Sequence, residues 1–359
     1  MAIEVSAREI LRLREATQRI DPAGTGTVAE TVRHLLATQA QDFANALWAV
    51  GLRTKHSARS DVLASLESGE VVRTLPMRGT LHFVAAEDLR WMLALTSARS
   101  LQAAKTRFEN LGLDAATLER AAAVTRTGLA GVALSRDEFM KLLAAHGIST
   151  EGQRGYHIIY YLSQLSLVCW GPPSGTQQAL VLVDDWIPAQ NLPSRDESLA
   201  GFALRYFGSH GPATERDFAW WTKLTLADVR EAMASCGDAL TELTLDGTSH
   251  WIATTELDAA AGGKLSTAVH ALPGFDEYLL GYQDRLLQLA AEHSQRIVPG
   301  NNGIFLPLIT AKGRVIGTWR RTAKSKTNAI EPVHFEQATA AEHTSFARAA
   351  KAYSRFTQG

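Results

Sequence analysis

The chain has 359 residues, of which 46% are hydrophobic and 20% are charged, and its formal net charge is −1. That length exceeds one small domain, and the composition is typical of a soluble globular protein. The first five residues are followed at once by a charged amphipathic segment, which predicts no signal peptide, and no stretch approaches the roughly 18 uninterrupted apolar residues of a membrane span. The two cysteines, Cys169 and Cys236, lack metal-ligand spacing and predict no disulfide framework. We therefore expect a cytoplasmic protein without structural zinc and with no other cofactor.

One pattern occurs three times along the chain: three amphipathic helices, then two short β-rich runs. The predicted helices lie at 27–38, 42–52 and 60–68, at 117–131, 135–145 and 150–164, and at 198–208, 214–223 and 225–235. The hairpins follow at 71–84, 167–183 and 240–254, with turns at 76–79, 171–175 and Asp246-Gly247. Capping boxes at Ser135/Glu138, Thr214/Asp217 and Thr225/Asp228 mark three helix starts. Three helices with a two-stranded wing predict tandem winged-helix modules.

Beyond residue 257 the pattern changes to that of a small β-rich C-terminal domain. Strands are predicted at 303–310, 314–319 and 333–335, and a closing helix at 338–356. The predicted fold class is therefore α+β, with three tandem winged-helix modules and this small domain. The expected domain boundaries are 1–95, 96–190, 191–258 and 259–359.

The tripeptide Gln39-Ala40-Gln41 lies between two predicted helices. On one regular helix, residues two apart point about 200° away from each other, so both amides can face one target only if the backbone turns. Asp42 suits the N-cap of the second helix, where its carboxylate would accept from N–H groups of the first turn. We expect the glutamines in the turn of a helix-turn-helix, beside the helix that approaches DNA. A solvated turn without a function is the alternative.

The overall balance of charge hides a local excess of positive charge. The segment 312–326 contains no acidic residue and carries Lys312, Arg314, Arg320, Arg321, Lys324 and Lys326. Two interpretations fit such a run, a surface that contacts phosphates and a solvated β-edge that is protected by charge. In the first predicted wing, Arg78 and His82 are open to strand pairing, a phosphate contact or catalysis.

Several of these segments, in their order along the chain, resemble the bacterial winged-helix DNA glycosylases of the AlkZ type. The resemblance spans essentially the whole chain. It rests on Thr38-Gln39-Ala40-Gln41, Gly51-Leu52-Arg53, Arg78-Gly79-Thr80-Leu81-His82, Gly274-Phe275-Asp276-Glu277-Tyr278 and the hairpin 303–320. The founding activity of that family is self-resistance to DNA-alkylating antibiotics, with unhooking of interstrand crosslinks. A Gln-x-Gln motif is catalytic there, which implies catalytic roles for Gln39 and Gln41.

The resemblance also implies contacts with DNA. The residues assigned to them are Arg53, Arg78, His82, Lys312, Arg314, Arg320 and Arg321. A crosslinked base cannot be flipped far into a pocket, so an open groove suits such a substrate better. Winged helices bent into a C around the duplex would provide that groove. The hairpin tip at 309–315 is expected to probe the minor groove or the phosphates near the lesion.

Two neutral amides suit one kind of leaving group. Glycosidic cleavage passes through an oxocarbenium-like sugar, and with an ordinary base a carboxylate usually stabilises that charge and activates water. A purine alkylated at N7 already carries a positive charge and departs without protonation, so an amide pair that orients water suffices and spares undamaged DNA. No lysine adjoins the motif as a Schiff-base nucleophile, which predicts a monofunctional glycosylase. Asp42 is the alternative base, although its expected role is the N-cap.

Two interpretations without chemistry stay open. One is a tandem winged-helix regulator that only binds DNA, and the other is a resistance protein that sequesters the alkylating drug in an apolar cleft. The expected partner is double-stranded DNA carrying alkylated purines, with no membrane contact, and the protein is expected to be a nucleoid-associated monomer. Trp220 and Trp221, at helical spacing with Phe218 and Leu224, are expected in the core rather than on a stacking platform.

Overall fold

The computed structural model describes residues 3–174, 177–322 and 329–359. The chain packs into two compact units, one formed by Met1–Val62 with Leu199–Gly359 and the other by Leu63–Ser198. This division differs from four consecutive domains. The expected boundary at residue 95 falls inside a long helix, Ala86–Asn110, and the first predicted module is divided between the two units.

Groups of helices and groups of strands follow one another along the described residues. The helices are α1 (Ala7–Thr17), α2 (Val28–Leu35), α3 (Phe43–Gly51), α4 (Arg59–Glu67), α5 (Ala86–Asn110), α6 (Ala115–Gly128), α7 (Arg136–Ala145), α8 (Arg154–Gln164), α9 (Val183–Trp186), α10 (Arg195–Ser209), α11 (Glu215–Thr222), α12 (Leu226–Cys236), α13 (Thr254–Ala259), α14 (Glu277–Leu280), α15 (Ser294–Ile297) and α16 (Ala340–Gln358). The strands are β1 (Ile3–Glu4), β2 (Thr38–Gln39), β3 (Val71–Met77), β4 (Thr80–Ala85), β5 (Val168–Ser174), β6 (Gln177–Leu182), β7 (Leu240–Leu245), β8 (Thr248–Ala253), β9 (Val269–Leu272), β10 (Leu308–Ala311), β11 (Arg314–Arg321) and β12 (Ile330–His334). All nine helices of the three predicted repeats are present, with ends shifted by a few residues.

The unit Leu63–Ser198 contains an antiparallel sheet in the order β4-β3-β5-β6. Its core includes Phe108, Phe139 and Ile158, all buried. Two features differ from the sequence prediction. Strand β5 continues through residues 171–174, which were expected to form a turn, and the 25-residue helix α5 was not predicted. Most of the buried residues of α5 lie in its first half, so its second half carries little apolar periodicity to reveal it.

Helix α1 explains why the N-terminal residues pack with the C-terminal part of the chain. The guanidinium of Arg14 is buried and donates to the carbonyl oxygen of Pro212 at 2.9 Å and to Oε1 of Gln288 at 2.8 Å. It also lies 3.8 Å from the centre of the Tyr282 ring, within cation–π distance. Strand β1 adds a parallel partner to β7. These contacts join residues about 200 or more positions apart, and no local sequence pattern encodes them.

The β-rich C-terminal part is confirmed as a four-stranded antiparallel sheet in the order β12-β11-β10-β9. Strand β9 was not predicted, and the strand expected at 303–310 begins only at Leu308. Tyr353 of α16 packs against Trp319 of β11 and Trp48 of α3, with ring centres 5.1 and 5.3 Å apart. Helix α3, which follows the glutamine tripeptide, is thereby fixed to this sheet.

Hydrogen bonds at the helix starts confirm the capping predictions. The three predicted boxes are present at Ser135/Glu138, Thr214/Asp217 and Thr225/Asp228. Trp221 is fully buried, as expected, whereas Trp220 is only half-buried. The guanidinium of Arg285 lies 5.1 Å from the centre of a Trp220 ring, and Lys223 Nζ lies 5.4 Å from it, so the core prediction was wrong for Trp220.

Candidate active site

The glutamine tripeptide lies in a short connector between α2 and α3. Helix α2 ends at Leu35, and Leu36 adopts a positive φ of 65° that turns the chain away from the helix axis. Thr38 and Gln39 form the two-residue strand β2, and the chain bends again at Gln41 before α3 begins. The predicted break between two helices is confirmed, and it contains an extended segment as well as a turn. Gln39 is 9% exposed, whereas Gln41 is an exposed residue.

Asp42 closes the connector as the N-cap of α3. Its Oδ1 accepts a hydrogen bond from the backbone N–H of Asn45 at 2.9 Å. This is the N-cap geometry, in which a side-chain oxygen satisfies an N–H group that the first turn leaves unpaired. The N-cap prediction for Asp42 is confirmed.

Glu277 lies directly behind the connector, in the short helix α14. Its Oε1 accepts from the backbone N–H of Gln39 at 3.1 Å, and its Oε2 accepts from the indole Nε1 of Trp221 at 2.8 Å. His210 Nε2 lies 3.6 Å from the same Oε2. The side chain is 1% exposed. Sequence reasoning assigned no role to Glu277, although its motif, residues 274–278, carried part of the family resemblance.

The preceding carboxylate, Asp276, holds Arg53. Two hydrogen bonds join the groups, from Nη1 to Oδ2 at 2.9 Å and from Nη2 to Oδ1 at 2.7 Å. Arg53 is fully buried and also donates to the carbonyl oxygen of Gln18. The expectation that Arg53 contacts DNA is therefore wrong, because its guanidinium is enclosed and fully committed to internal acceptors. The pairing joins Gly51-Leu52-Arg53 to the motif at 274–278 in the fold.

In the first wing, Arg78 and His82 hydrogen-bond to each other. Arg78 Nη2 lies 2.8 Å from His82 Nε2, and His82 Nδ1 lies 2.8 Å from the carbonyl oxygen of Thr80. A guanidinium only donates, so Nε2 accepts, and the ring is the neutral tautomer protonated on Nδ1. His82 is 0% exposed and lies opposite Thr74 in the β3–β4 ladder, so the predicted DNA contact for His82 is wrong. Arg78 is half-buried at a φ of 56°.

The β10–β11 turn, with Lys312 at its tip and Arg314 directly after it, is docked rather than projecting. The N–H of Gly313 donates to Oε1 of Glu15 at 3.0 Å, and the hydroxyl of Tyr278 donates to the carbonyl oxygen of Gly313 at 2.7 Å. Lys312 and Arg314 are exposed on either side of this buried glycine. The expectation that the tip contacts the minor groove or the phosphates near the lesion stays a prediction, because the turn is docked while its two cations remain accessible to a phosphate.

The remaining predicted basic residues lie on the last strands of the C-terminal sheet. Arg320 and Arg321 are both exposed, and Nε of Arg320 donates to Oε1 of Glu331 at 2.7 Å. Exposed pairs of this kind contribute about 0–1 kcal/mol, so the pairing does not prevent Arg320 from exchanging to a phosphate. Lys324 and Lys326 lie outside the described residues.

Burial shifts the pKa of two groups near these elements. It raises the pKa of Glu15 to about 7, while the N–H of Gly313 opposes the shift and the nearby Asp21 adds to it. It lowers the pKa of His34, on α2, to about 4, with Arg19 adding to the decrease. His34 therefore stays neutral at physiological pH, with Nε2 lying 2.6 Å from the carbonyl oxygen of Thr17. Both groups bear on stability rather than on the connector itself.

Neither a metal site nor a membrane span emerges from the part of the chain that the structure describes. No three of its His, Cys, Asp and Glu side chains cluster in a way that would hold a metal ion. None of the helices within those ranges has both the length and the apolar character to cross a bilayer.

Comparisons with known proteins identify the class to which this fold and site belong. A family model described as DNA glycosylase AlkZ-like matches residues 32–356. An interstrand DNA cross-link repair glycosylase of Streptomyces sahachiroi is 27% identical over 329 residues, which are 88% of this chain and 88% of that protein. The solved structure of the Streptomyces sahachiroi DNA glycosylase AlkZ superposes with a TM-score of 0.85 at 23% identity, covering 99% of this chain and 97% of that one.

The structural match establishes the mixed α+β fold, and the family match establishes the kind of enzyme. The protein is a DNA glycosylase. The chain belongs to the AlkZ-like family, because that model covers most of its length.

Proposed function

We propose that this glycosylase hydrolyses the N-glycosidic bond of N7-alkylated purines in duplex DNA, with Gln39 and Gln41 positioning the attacking water. The proposal rests chiefly on the placement of the two glutamines in a connector that leaves α2, extends over Thr38–Gln39 and bends before α3. Family membership favours this enzymatic interpretation over a DNA-binding regulator or a drug-sequestering protein.

The chemistry explains why neutral side chains suffice. Alkylation at N7 gives the purine a positive charge, so the base departs as a neutral molecule without a general acid. The sugar acquires oxocarbenium character, and a water held near the anomeric carbon captures it, forms the new C–O bond and releases one proton to solvent. Asp42 is committed to the N-cap of α3 through Asn45, which leaves the two amides as the better candidates for orienting that water.

The surface that binds DNA is proposed to come from three winged-helix modules arranged as a C around the duplex. Each predicted module contains helices followed by a hairpin, β3–β4, β5–β6 and β7–β8. Exposed cations at Lys312, Arg314, Arg320 and Arg321, together with the half-buried Arg78, would contact phosphates. Since the modules lie in one chain, a monomer can enclose its substrate, and nucleoid association would follow from DNA affinity.

Interstrand crosslinks and bulky antibiotic adducts are proposed as substrates within the N7-alkylpurine class. The 27% identical relative is described as an interstrand DNA cross-link repair glycosylase, and this chain carries glutamine at both positions of the tripeptide. The proposal predicts that the protein unhooks a duplex whose two strands are joined through the N7 atoms of opposing guanines. Unhooking is measured as the appearance of single strands on a denaturing gel.

The direct test is single-turnover reaction with a duplex that carries one N7-methylguanine, with abasic sites revealed by alkaline cleavage. The protein should cleave this duplex and leave undamaged DNA intact. The double variant Gln39→Ala/Gln41→Ala should lose about 100-fold or more of the rate, a usual range for a group that assists proton transfer or positions water. The variant Gln102→Ala removes an exposed glutamine from α5 and serves as the matched control.

Two results would contradict the proposal. Full activity of the double glutamine variant would exclude the amide pair, even if the protein releases methylated bases. Release of undamaged guanine at a comparable rate would exclude specificity through the cationic leaving group, because the amides would then support chemistry that needs an acid.

A further inference from the structure

One contact of the Glu277 carboxylate with the connector is to a backbone group. The carboxylate accepts from the N–H of Gln39 with one oxygen and from the indole of Trp221 with the other. We propose that Glu277 is a positioning residue of the glycosylase, which fixes the peptide of Gln39 and so sets the direction of the proposed catalytic amides. This inference rests on the proposed function of Gln39 and Gln41.

A carboxylate is the side chain that this position requires. Two N–H groups from distant parts of the sequence, the backbone N–H of Gln39 and the indole N–H of Trp221, donate to Glu277. Both oxygens of its side chain act as acceptors, as those of an ionised carboxyl group do. An amide of the same shape has one acceptor oxygen and one NH2 group. It can satisfy either the Gln39 N–H or the Trp221 N–H and must face the other with a donor. A buried N–H left without an acceptor costs its full desolvation energy.

The connector needs an external anchor because its own structure is short. Only seven residues, 36–42, separate the end of α2 from the start of α3, and β2 contributes two of them. Glu277 is buried at 1% exposure, and a hydrogen bond to a charged acceptor is stronger than one to a neutral acceptor. A displacement of about 1 Å in a group that positions a reactant is enough to cost about 100-fold in rate.

The neighbouring side chains of the same motif show that this role is specific to Glu277. Asp276 binds Arg53, and the hydroxyl of Tyr278 donates to the carbonyl oxygen of Gly313. Three consecutive residues thus hold three different segments of the chain. Within the described residues, the middle one is the member of this trio that hydrogen-bonds to the connector. Removing the Tyr278 hydroxyl should lower stability without moving Gln39, which makes Tyr278→Phe the matched control.

The first experiment compares Glu277→Gln with Tyr278→Phe in the full-length protein. Single-turnover release of N7-methylguanine at saturating enzyme should fall 10- to 100-fold in Glu277→Gln and stay within about twofold in Tyr278→Phe, in the range expected for a misplaced catalytic group. Affinity for the same duplex should stay within about twofold in both. Hydrogen exchange at the Gln39 amide should accelerate in Glu277→Gln alone, which reports on the anchor without reference to chemistry.

A compensating substitution separates positioning from stability. Trp221→Phe removes the second N–H donor, so the glutamine of Glu277→Gln can turn its oxygen towards the Gln39 N–H. The double variant Glu277→Gln/Trp221→Phe should regain most of the lost rate while melting at a lower temperature than Glu277→Gln, because a cavity replaces part of the indole. A structural role alone would make rate and melting temperature fall together, and that result would overturn the proposal.

The background variant Gln39→Ala/Gln41→Ala distinguishes the two proposals. If the glutamines are catalytic and Glu277 acts through them, adding Glu277→Gln to that background should produce no further loss of rate. A further loss would show that Glu277 acts by another route and would overturn the inference alone. Full activity of the glutamine variant would overturn the proposed function, whereas unchanged exchange of the Gln39 amide in Glu277→Gln would overturn the anchor itself.

Discussion

Two hairpin turns of this protein have the same backbone conformation and different surroundings. Asp246 and Gly247 join β7 to β8 with φ values of 49° and 75°, and Lys312 and Gly313 join β10 to β11 with φ values of 51° and 75°. Positive φ at both central residues is the signature of the type I′ turn that suits two-residue hairpins. The first turn is exposed, and a Cβ added to Gly247 would meet nothing within 4 Å. A Cβ added to Gly313 would lie 2.6 Å from Cβ of Leu11.

The difference shows what turn chemistry encodes. Both sequences specify a tight turn, and both turns form, but neither sequence says whether the tip is free. The β10–β11 turn is held by Glu15 and Leu11, about 300 residues earlier, and by the Tyr278 hydroxyl. Its positive charges suggested a probe of DNA, although its glycine is buried against α1. A basic turn is therefore insufficient evidence for a free finger.

Comparing Gly313→Ala with Gly247→Ala should separate two contributions to the loss of stability: the strain of alanine at a positive φ and the steric clash of its Cβ with a neighbour. Both variants place alanine at a φ of 75°, which costs about 1 kcal/mol. Gly313→Ala also forces the contact with Leu11, and overpacking of this kind adds about 1–3 kcal/mol. Urea denaturation should give a total loss of about 2–4 kcal/mol for Gly313→Ala and about 1 kcal/mol for Gly247→Ala. Equal losses would mean that the turn is not docked in solution.

Glu15→Gln should change the pH dependence of stability. Burial raises the pKa of Glu15 to about 7 from an ordinary value of 4.5, so the native state binds more protons than the unfolded state between those values. Stability therefore falls as pH rises through this window, by about 1.4 kcal/mol per unit and about 3 kcal/mol in all. The variant lacks this loss, and its stability relative to wild type should rise by up to that amount between pH 4.5 and pH 7.

His34 acts in the opposite direction over much of the same range. Its pKa of about 4 lies below the ordinary 6.5, so the unfolded state binds the extra proton and stability rises with pH between those values. The two contributions largely cancel in the wild-type protein, and Glu15→Gln should therefore reveal a rising curve. Gly247→Ala, which changes no titratable group, is the control and should follow the wild-type curve. If the curve of stability against pH for Glu15→Gln ran parallel to that of the wild type, it would contradict the burial of the Glu15 carboxyl group.

Tyr278→Phe should have a smaller effect on the docked turn. It removes the hydrogen bond to the carbonyl oxygen of Gly313 and leaves the ring in place. A single intramolecular hydrogen bond is worth about 0.5–1.5 kcal/mol, so a loss near 1 kcal/mol is expected in urea denaturation. Combined with Gly313→Ala, the losses should be less than additive because both changes loosen the same turn. Strict additivity would indicate that the hydroxyl does not hold the turn.

Local sequence patterns predicted the helices and strands of this fold, whereas long-range contacts determine how those elements pack and which side chains are buried. Alternating and helical patterns placed the nine repeat helices, and the capping residues at Ser135, Thr214 and Thr225 form as expected. The predicted domain boundaries lacked the information that α1 packs against the C-terminal half. Arg53 and His82 look like surface cations in the sequence, yet each is buried with partners that composition cannot reveal.

In the candidate site, too, some features follow from the local sequence and others only from the fold. The break in the helix at Gln39-Ala40-Gln41 and the N-cap at Asp42 follow from spacing and capping chemistry. The anchor at Glu277 does not, because its partners Gln39 and Trp221 lie 238 and 56 positions away. The motif at 274–278 was visible as a point of resemblance, but only the fold gives its three polar residues their separate roles.

The exposed cations beside the docked turn should affect DNA binding without affecting stability. Removing one cation that binds a phosphate should reduce the slope of log K against log salt by about 0.9, so Lys312→Gln/Arg314→Gln should flatten it by about 1.8 if both residues bind DNA. The matched variant Arg348→Gln/Lys351→Gln removes the same charge from exposed positions of α16, and its slope should change less. Equal changes would attribute the effect to net charge rather than to the turn. An unchanged slope for Lys312→Gln/Arg314→Gln would remove both residues from the DNA surface and leave the docked turn with a structural role only.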